Sequence, residues 1–248
     1  MLTVRPHDLS SMHPAVAATV AMLRNGGARA RDAQITELAD FVPPSRGQLA
    51  AKRVMDVTVV LVSLPLLLPM MAVIAVLVKL TSRGPVLFKH VRVGRDGRLF
   101  KVLKFRTMTP GTHESIWSDI EKIEQFAASG FKLPDRDPSI TRFGRILRRT
   151  SLDELPQFFN VLGGSMSLVG VRPLVVPEVT MRSELDQVLY TTMKPGITGL
   201  WQTNGRTAVD IETRWELDRR YVLQWSLVSD ARILLRTPFA VLRTHHAA

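Results

Sequence analysis

One stretch of the chain is almost entirely hydrophobic, because residues 57–78 contain no charged side chain. At about 1.5 Å per residue, a helix of this length is long enough to cross the hydrocarbon core of a bilayer. Pro65 and Pro69 lie within it, where each removes a helical hydrogen bond and bends the axis. Basic residues flank both ends, and positive charge marks the cytoplasmic side of a membrane. They are Arg46, Lys52, Arg53, Lys79, Arg83 and Lys89.

This pattern predicts a re-entrant helix that breaks near Pro69 and enters and leaves through one leaflet. A straight transmembrane helix is the second alternative, and a buried core helix is a weaker third at this length. We divide the chain into a loosely attached leader over residues 1–50, a membrane segment over 51–80 and a cytoplasmic domain over 81–248. The leader is rich in Pro, Gly, Ala and Arg, with a short helix predicted at 15–23.

A β-hairpin is predicted directly after the membrane segment. Two apolar, partly alternating runs, 86–91 and 99–105, flank the turn signal Asp96-Gly97. Lys104 and Arg106 at the exit of the hairpin are donors for an anion, or they belong to a solvated basic surface.

Five helices are predicted in the remaining chain, at 115–128, 139–149, 155–162, 211–221 and 229–242. The second carries apolar residues on one face and arginines on the other. Such a helix lies on a membrane surface or packs in a core with a solvated face, and the nearby hydrophobic run favours the membrane. The Gly- and Pro-rich stretch 194–206 predicts a loop that binds a ligand. The fold class is therefore α+β and mostly helical, with interfacial helices around a cytoplasmic domain.

The charge balance points to an anionic partner. There are 33 Lys and Arg residues against 22 Asp and Glu, a formal net charge of +11. Nucleic acid, a phosphorylated substrate or an anionic membrane surface would each suit this excess. The chain has no cysteine, which excludes disulfides, thiolate nucleophiles and Cys-based zinc sites. Neither a P-loop nor a dinucleotide-binding glycine fingerprint is present.

An acidic pair, Asp153 and Glu154, lies inside a strongly basic region. Arg145 and Arg148 precede it, and Arg172 follows it. Neighbouring guanidinium groups are expected to keep a carboxylate ionised, which suits a nucleophile or a metal ligand. The same groups can clamp phosphate oxygens with two parallel hydrogen bonds. The pattern therefore indicates a phosphorylated substrate whose phosphorus meets a carboxylate.

The same stretch also has a purely structural interpretation. Ser151 and Glu154 have the spacing of a helix capping box. Pro156 fits that box poorly, but it is tolerated in the first turn if Asp153 is the N-cap. This interpretation is as well supported as the catalytic one and compatible with it, since a helix N-terminus also attracts phosphate.

Several short motifs, taken together and in order, resemble the bacterial sugar transferases, which are monotopic polyprenyl-phosphate phosphoglycosyl transferases. The resemblance covers about residues 50–243. The motifs are Lys52-Arg53-x-x-Asp56, Gly84-Pro85-Val86, Arg92-Val93-Gly94, Lys104-Phe105-Arg106-Thr107-Met108, Ser151-Leu152-Asp153-Glu154-Leu155-Pro156-Gln157, Met166-Ser167-Leu168-Val169-Gly170, Arg172-Pro173 and Lys194-Pro195-Gly196-Ile197-Thr198-Gly199-Leu200-Trp201-Gln202.

The resemblance implies a two-step reaction that starts exopolysaccharide synthesis. Asp153 attacks the sugar-linked phosphorus of a UDP-sugar, with UDP-galactose or UDP-glucose expected, and UMP leaves a phosphoglycosyl-aspartate. Undecaprenyl phosphate then attacks this intermediate, while Glu154 positions or deprotonates the acceptor. Mg²⁺ is expected at Asp153. The expected phosphate-binding residues are Arg148, Arg172, Lys104, Arg106 and Arg145.

The resemblance further implies attachment to the cytoplasmic face of the inner membrane, with no nucleic-acid partner, and it leaves a homodimer open. Three positions depart from the usual motifs. Leu68-Pro69 replaces Ser-Pro at the helix break, Ser165 replaces an acid, and Val171 replaces a proline. A membrane-tethered nucleic-acid-binding protein and a scaffold without catalysis are the competing functions, but the first leaves the acidic pair unexplained.

Overall fold

A computed structural model describes residues 43–129, 131, 133–134, 136–204 and 210–243. Most of the predicted leader, including its short helix at 15–23, lies outside these residues. The described chain is mostly helical and contains two small sheets, which confirms the predicted α+β class.

The hydrophobic run forms one long helix, α1 (Arg46–Thr81). A capping box starts it, in which the Ser45 hydroxyl accepts a hydrogen bond from the Gln48 N–H. The helix continues through Pro65 and Pro69, so the predicted division into two helices at Pro69 is wrong. Within the described chain, α1 is the one helix that is long and apolar enough to cross a membrane.

Burial along α1 is confined to its two ends. No residue between 61 and 70 is buried, and the side chains of Val62 and Leu66 are 76% and 79% exposed. The buried residues of α1 are Lys52, Asp56, Val60, Met71, Ile74 and Val78. Both ends therefore pack on the rest of the protein, while the apolar middle makes fewer contacts: Leu64 is partly buried against both hydrophobic clusters, and Val62 and Leu66 are exposed.

The predicted hairpin is confirmed as β1 (Leu87–Val93) and β2 (Leu99–Phe105), which pair antiparallel. Asp96 and Gly97 adopt positive φ values of 58° and 69° in the turn between them. The register places Phe88 opposite Lys104. Opposed residues point to the same face of an antiparallel sheet, so Lys104 shares a face with Phe88. His90 and Arg92, two and four positions after Phe88, lie on that face as well.

The remaining elements form the body of the domain around a short parallel pair, β3 (Ser167–Val169) and β4 (Gly196–Thr198). The helices are α2 (Thr112–Trp117), α3 (Ile120–Ala128), α4 (Arg142–Thr150), α5 (Gln157–Leu162), α6 (Val176–Thr180), α7 (Glu184–Thr192), α8 (Leu200–Thr203), α9 (Ile211–Leu223) and α10 (Leu227–Arg243). The single helix predicted at 115–128 is two helices, and the predicted loop at 194–206 contains β4 and α8.

The amphipathic helix α4 contributes to the core through one face. Leu147 is 1% exposed and packs in a cluster with the C-terminal half of α1 and with Phe105 of β2. Ile146, one position earlier, is 56% exposed. The helix thus has a core face, and it also leaves an apolar side chain beside its arginines at the surface.

A buried ionic network fastens the start of α1 to the body of the domain. Lys52 Nζ lies 2.5 Å from Asp230 Oδ2 of α10 and donates to the Val169 carbonyl at 2.9 Å. Asp56 accepts a hydrogen bond from the Leu168 N–H at 3.1 Å. Since Lys52, Asp56 and Asp230 are all buried, these contacts replace the water that the charges lose.

Candidate active site

The acidic pair lies on a tight turn that follows α4. Ser151 ends α4 in the left-handed conformation (φ 57°, ψ 16°), and Leu152–Glu154 form one 3₁₀ turn. Ser151 makes no side-chain capping bond to this turn, and α5 begins only at Gln157 with Pro156 at its N-cap position. The capping box and the Asp153 N-cap are therefore both wrong.

Helix α4 is held close to the end of the hairpin. Thr141 caps it by accepting a hydrogen bond from the Gly144 N–H at 2.9 Å. A Cβ atom at Gly144 would collide with the Thr107 carbonyl, so the two backbones are in direct contact. This contact fixes α4, and with it Arg148, relative to β2.

Lys104 of β2 connects the two carboxylates. Its Nζ lies 2.6 Å from Glu154 Oε1 and 4.0 Å from Asp153 Oδ2. Asp153 is only 8% exposed, whereas Glu154 is half-buried. The structure therefore places Lys104 at the acidic pair, where its charge acts on both acids.

Burial, more than any single charge, sets the protonation of Asp153. It raises the pKa of this carboxyl to about 6; Glu154 adds to the rise, and Lys104 and Arg148 oppose it. Arg148 does favour the ionised form, as expected, but burial outweighs it and the net shift of the pKa is upward. The carboxylate is nevertheless mostly charged at neutral pH and poorly hydrated, which favours its action as a nucleophile.

Two of the predicted phosphate-binding residues lie elsewhere. Arg106 is buried and donates hydrogen bonds to the Ser82 carbonyl at 2.7 Å, to the Ser82 hydroxyl at 2.9 Å and to the Pro85 carbonyl. It thus ties down the C-terminal end of α1 and does not face the acidic pair. Arg145 is exposed on α4, and the groups with the largest effect on Asp153 do not include it.

Arg172 lies on the segment after β3, beside residues to which the sequence analysis assigned no role. Its guanidinium carbon is 5.9 Å from the centre of the Trp201 ring, and that of Arg214 is 5.2 Å from the same centre. Arg92 also interacts electrostatically with both Arg172 and Glu154. Arg92 and Trp201 belong to motifs that resemble those of the sugar transferases, whereas Arg214 carried no sequence signal.

At the predicted magnesium site, one side chain of the protein is suited to bind the ion. Among the described residues, no group of three or more His, Cys, Asp or Glu side chains is arranged to hold a metal. Mg²⁺ is commonly bound by one or two carboxylates together with substrate phosphates. Asp153 suits that role, whereas one oxygen of Glu154 is engaged by Lys104.

The fold and site together define a domain with an apolar helix fastened at both ends and an acidic pair, of which Asp153 is buried, beside cationic side chains. Residues 47–244 match the family model described as "Bacterial sugar transferase". The chain belongs to this family.

Three relatives illustrate the similarity. The chain is 43% identical over 196 residues to a "UDP-galactose-lipid carrier transferase" of Erwinia amylovora, covering 77% of this chain and 40% of that protein. It is 42% identical over 207 residues to a "UDP-glucose:undecaprenyl-phosphate glucose-1-phosphate transferase" of Klebsiella pneumoniae, covering 80% and 42%. It is 39% identical over 209 residues to "Exopolysaccharide production protein ExoY" of Rhizobium meliloti, covering 81% and 92%. The chain thus spans about two fifths of the first two and most of the third.

Proposed function

We propose that this protein transfers a sugar-1-phosphate from a UDP-sugar to undecaprenyl phosphate and releases UMP, as the first membrane step of exopolysaccharide synthesis. UDP-galactose and UDP-glucose are the proposed donors, in keeping with the names of the relatives. The observation that carries the proposal is the buried Asp153, which lies beside Glu154 and Lys104 in a member of this family.

In the first step, a carboxylate oxygen of Asp153 forms a bond to the sugar-linked phosphorus of the donor. The bond from that phosphorus to the bridging oxygen breaks, and UMP leaves with the electron pair. The burial of Asp153 keeps water away from the nucleophile and from the intermediate. Arg148, whose charge already acts on Asp153, and Lys104 compensate the negative charge of the phosphoryl group.

In the second step, an oxygen of undecaprenyl phosphate forms a bond to the same phosphorus. The bond between phosphorus and Asp153 breaks, and its electron pair restores the carboxylate. Glu154 and Lys104 form an ion pair at this point of the site, and we assign them the positioning of the acceptor phosphate. The products are undecaprenyl diphosphate-sugar and UMP.

Magnesium is proposed as the cofactor, with Asp153 as its ligand from the protein. The ion, when bound, would supply positive charge to the phosphate oxygens. The charges of Arg148 and Lys104 serve the same purpose from the protein side.

A re-entrant α1 is proposed because both of its ends contact the same domain. Lys52 is bound to Val169 and Asp230, and at the other end Arg106 donates to the Val78 and Ser82 carbonyls. A straight helix from Lys52 to Val78 would be about 39 Å long. If it crossed the roughly 30 Å hydrocarbon core, one end would be separated from the domain. The exposed middle with its two prolines is therefore the part proposed to enter the inner membrane from its cytoplasmic face.

Cysteine labelling tests this topology, since the chain has no cysteine of its own. Ala50 and Arg83 are exposed positions at the two ends of α1, and neither makes a capping bond. We expect Ala50→Cys and Arg83→Cys both to resist a membrane-impermeant thiol reagent in intact cells and to react after lysis. Val60→Cys, at a fully buried position, is the control that stays unreactive in both samples. Labelling of Ala50→Cys before lysis would establish a straight span.

The rate of intermediate formation should depend on pH in the range set by Asp153. Because burial raises the pKa of Asp153 to about 6, the nucleophile gains a proton as the pH falls through this value. We expect the single-turnover rate of UMP release to be nearly constant above pH 7 and to fall about tenfold per unit well below pH 6. A rate unchanged between pH 7 and pH 5 would exclude an ionised Asp153 as the nucleophile.

The function itself is tested by incubating the purified protein in lipid nanodiscs with UDP-sugars, Mg²⁺ and undecaprenyl phosphate. UMP should appear with at least one UDP-hexose. In the absence of the acceptor, intact-protein mass spectrometry should show the mass of one hexose phosphate on the chain. Free UDP is the matched control, since it offers no sugar-linked phosphorus. No UMP from any UDP-sugar would refute the proposal.

A further inference from the structure

Three arginines from three different elements lie next to one another beyond the acidic pair. We call them the arginine row: Arg92 of β1, Arg172 of the segment after β3, and Arg214 of α9. Arg92 interacts electrostatically with Glu154 of the acidic pair as well as with Arg172. Arg214 is at the other end, linked to Arg172 through Trp201.

Three hydrogen bonds hold the chain segments that carry Arg92 and Arg172 beside each other. The Val93 N–H donates to the Leu174 carbonyl at 3.0 Å. The Tyr190 hydroxyl donates to the Val93 carbonyl at 2.6 Å and accepts from the Leu174 N–H at 2.9 Å. The end of β1 is thereby joined to the segment that carries Arg172, and Tyr190 is itself fully enclosed at 2% exposure. The positions of Arg92 and Arg172 are thus set by backbone contacts.

Trp201 holds the guanidinium groups of Arg172 and Arg214 together. It is 6% exposed, and Arg172 and Arg214 approach its ring centre to 5.9 Å and 5.2 Å. Cation–π attraction offsets part of the repulsion between the two charges. The rigid indole thus contacts both guanidinium groups and keeps them close to each other.

Arg172 repels both of the other cations of the row. Burial and then the Arg172 cation lower the pKa of Arg92 to about 10, and the same two causes lower the pKa of Arg214. Glu178 is the acid that opposes this shift most in both cases, yet it does not reverse it. Like charges held together at partial burial destabilise one another, and a bound anion would remove that cost.

We propose that Arg92, Arg172 and Arg214 together bind the diphosphate of the nucleotide donor. Trp201 is a positioning residue for two of them. This inference rests on the proposed function and adds Arg92 and Arg214 to its site. Planar guanidinium groups match the oxygens of two adjoining phosphates. They would also meet the negative charge that develops on UMP as it leaves.

The acceptor phosphate shares this chemistry, but the position of the row favours the donor. Trp201 and Arg214 belong to α8 and α9, whose most extensive contacts are with each other and with α7 and α10. The membrane helix α1 instead packs mainly on α5, α4 and β3. We therefore expect the nucleotide donor, which arrives from the aqueous phase, to approach the row from the end formed by α8 and α9.

The test compares Arg92→Gln and Arg214→Gln with glutamine substitutions of two exposed arginines, one in the turn of the hairpin and one on α9. Arg98→Gln, at the hairpin turn, and Arg220→Gln, on α9, are the matched controls. For the full chain in nanodiscs, we expect UDP to bind at least about tenfold more weakly to each row variant, as loss of a charge-assisted hydrogen bond predicts. The KM for the donor should rise similarly, while the KM for undecaprenyl phosphate and the UDP affinity of both controls stay unchanged.

Thermal unfolding first establishes that each variant is folded. If a glutamine variant does not fold, Arg92→Lys and Arg214→Lys decide, because they keep the charge and lose the planar fork; a weaker but clear loss of UDP affinity is then expected. Unchanged UDP binding in a folded variant, or a raised KM for the acceptor alone, would overturn the assignment. If the wild-type protein in the same preparation releases UMP, such a result refutes the role of the arginine row and leaves the proposed function intact.

Discussion

Replacing Asp153 by asparagine will abolish the covalent intermediate and lower UMP release by about three orders of magnitude or more, as loss of a nucleophile commonly does. The amide has almost the same shape as the carboxylate but lacks the charge that attacks phosphorus. Single-turnover UMP release and intact-protein mass spectrometry measure the two effects. Near-normal release by the variant would assign the chemistry to another group.

The stability of this variant distinguishes chemistry from folding. Because burial disfavours the charged form of Asp153, the neutral amide should leave the melting temperature equal or higher. Asp96→Asn, at the exposed turn of the hairpin, is the matched control and should keep full activity. A large drop in the melting temperature of Asp153→Asn would mean that Asp153 supports the fold.

Replacing Lys52 by methionine will destabilise the protein by about 3–5 kcal/mol, because it leaves Asp230 as an uncompensated buried charge. Asp230 is fully buried, and Lys52 Nζ lies 2.5 Å from its carboxylate. Unfolding in detergent, followed by tryptophan fluorescence against denaturant, measures the change. Lys79→Met, on the exposed side of the same helix, should cost less than about 0.5 kcal/mol.

A second substitution tests the cause of that loss. In Lys52→Met/Asp230→Leu the carboxylate of Asp230 is removed together with its partner and, of this network, only Asp56 remains as a buried acid, so the double variant should recover part of the lost stability. Recovery will be incomplete because Tyr221 and Trp225 also donate hydrogen bonds to Asp230. A double variant less stable than Lys52→Met would show that packing around Lys52, rather than its charge, is decisive.

Local sequence signals predicted the parts of the fold that depend on neighbouring residues. The hairpin followed from Asp96-Gly97 between two apolar runs, because that dipeptide accepts positive φ at low cost. The acid pair was recognisable because two carboxylates among arginines are unusual in a basic chain. The composition of α1 was equally clear, although Pro69 did not divide the helix, since an interior proline can bend a helix without ending it.

Contacts between distant parts of the chain account for what sequence reasoning missed. Arg106 was assigned to phosphate, yet it binds Ser82, which lies 24 residues earlier. Lys52 pairs with Asp230 across 178 residues, and no local pattern connects them. The raised pKa of Asp153 follows from its burial, which cannot be inferred from the residues next to it in the sequence. Arginines nearby in sequence suggested the opposite direction.

The attachment of α1 at both ends has a consequence for how the two proposed substrates meet. A domain joined to the bilayer through one flexible span can tilt and rise, whereas one joined through two arms has a fixed height and orientation. In the proposed arrangement the lipid acceptor therefore arrives by lateral diffusion within a plane, and the nucleotide sugar arrives from the volume above it. Encounter with the lipid then depends on its surface density, so diluting undecaprenyl phosphate with inert lipid slows the reaction even when its total amount is unchanged.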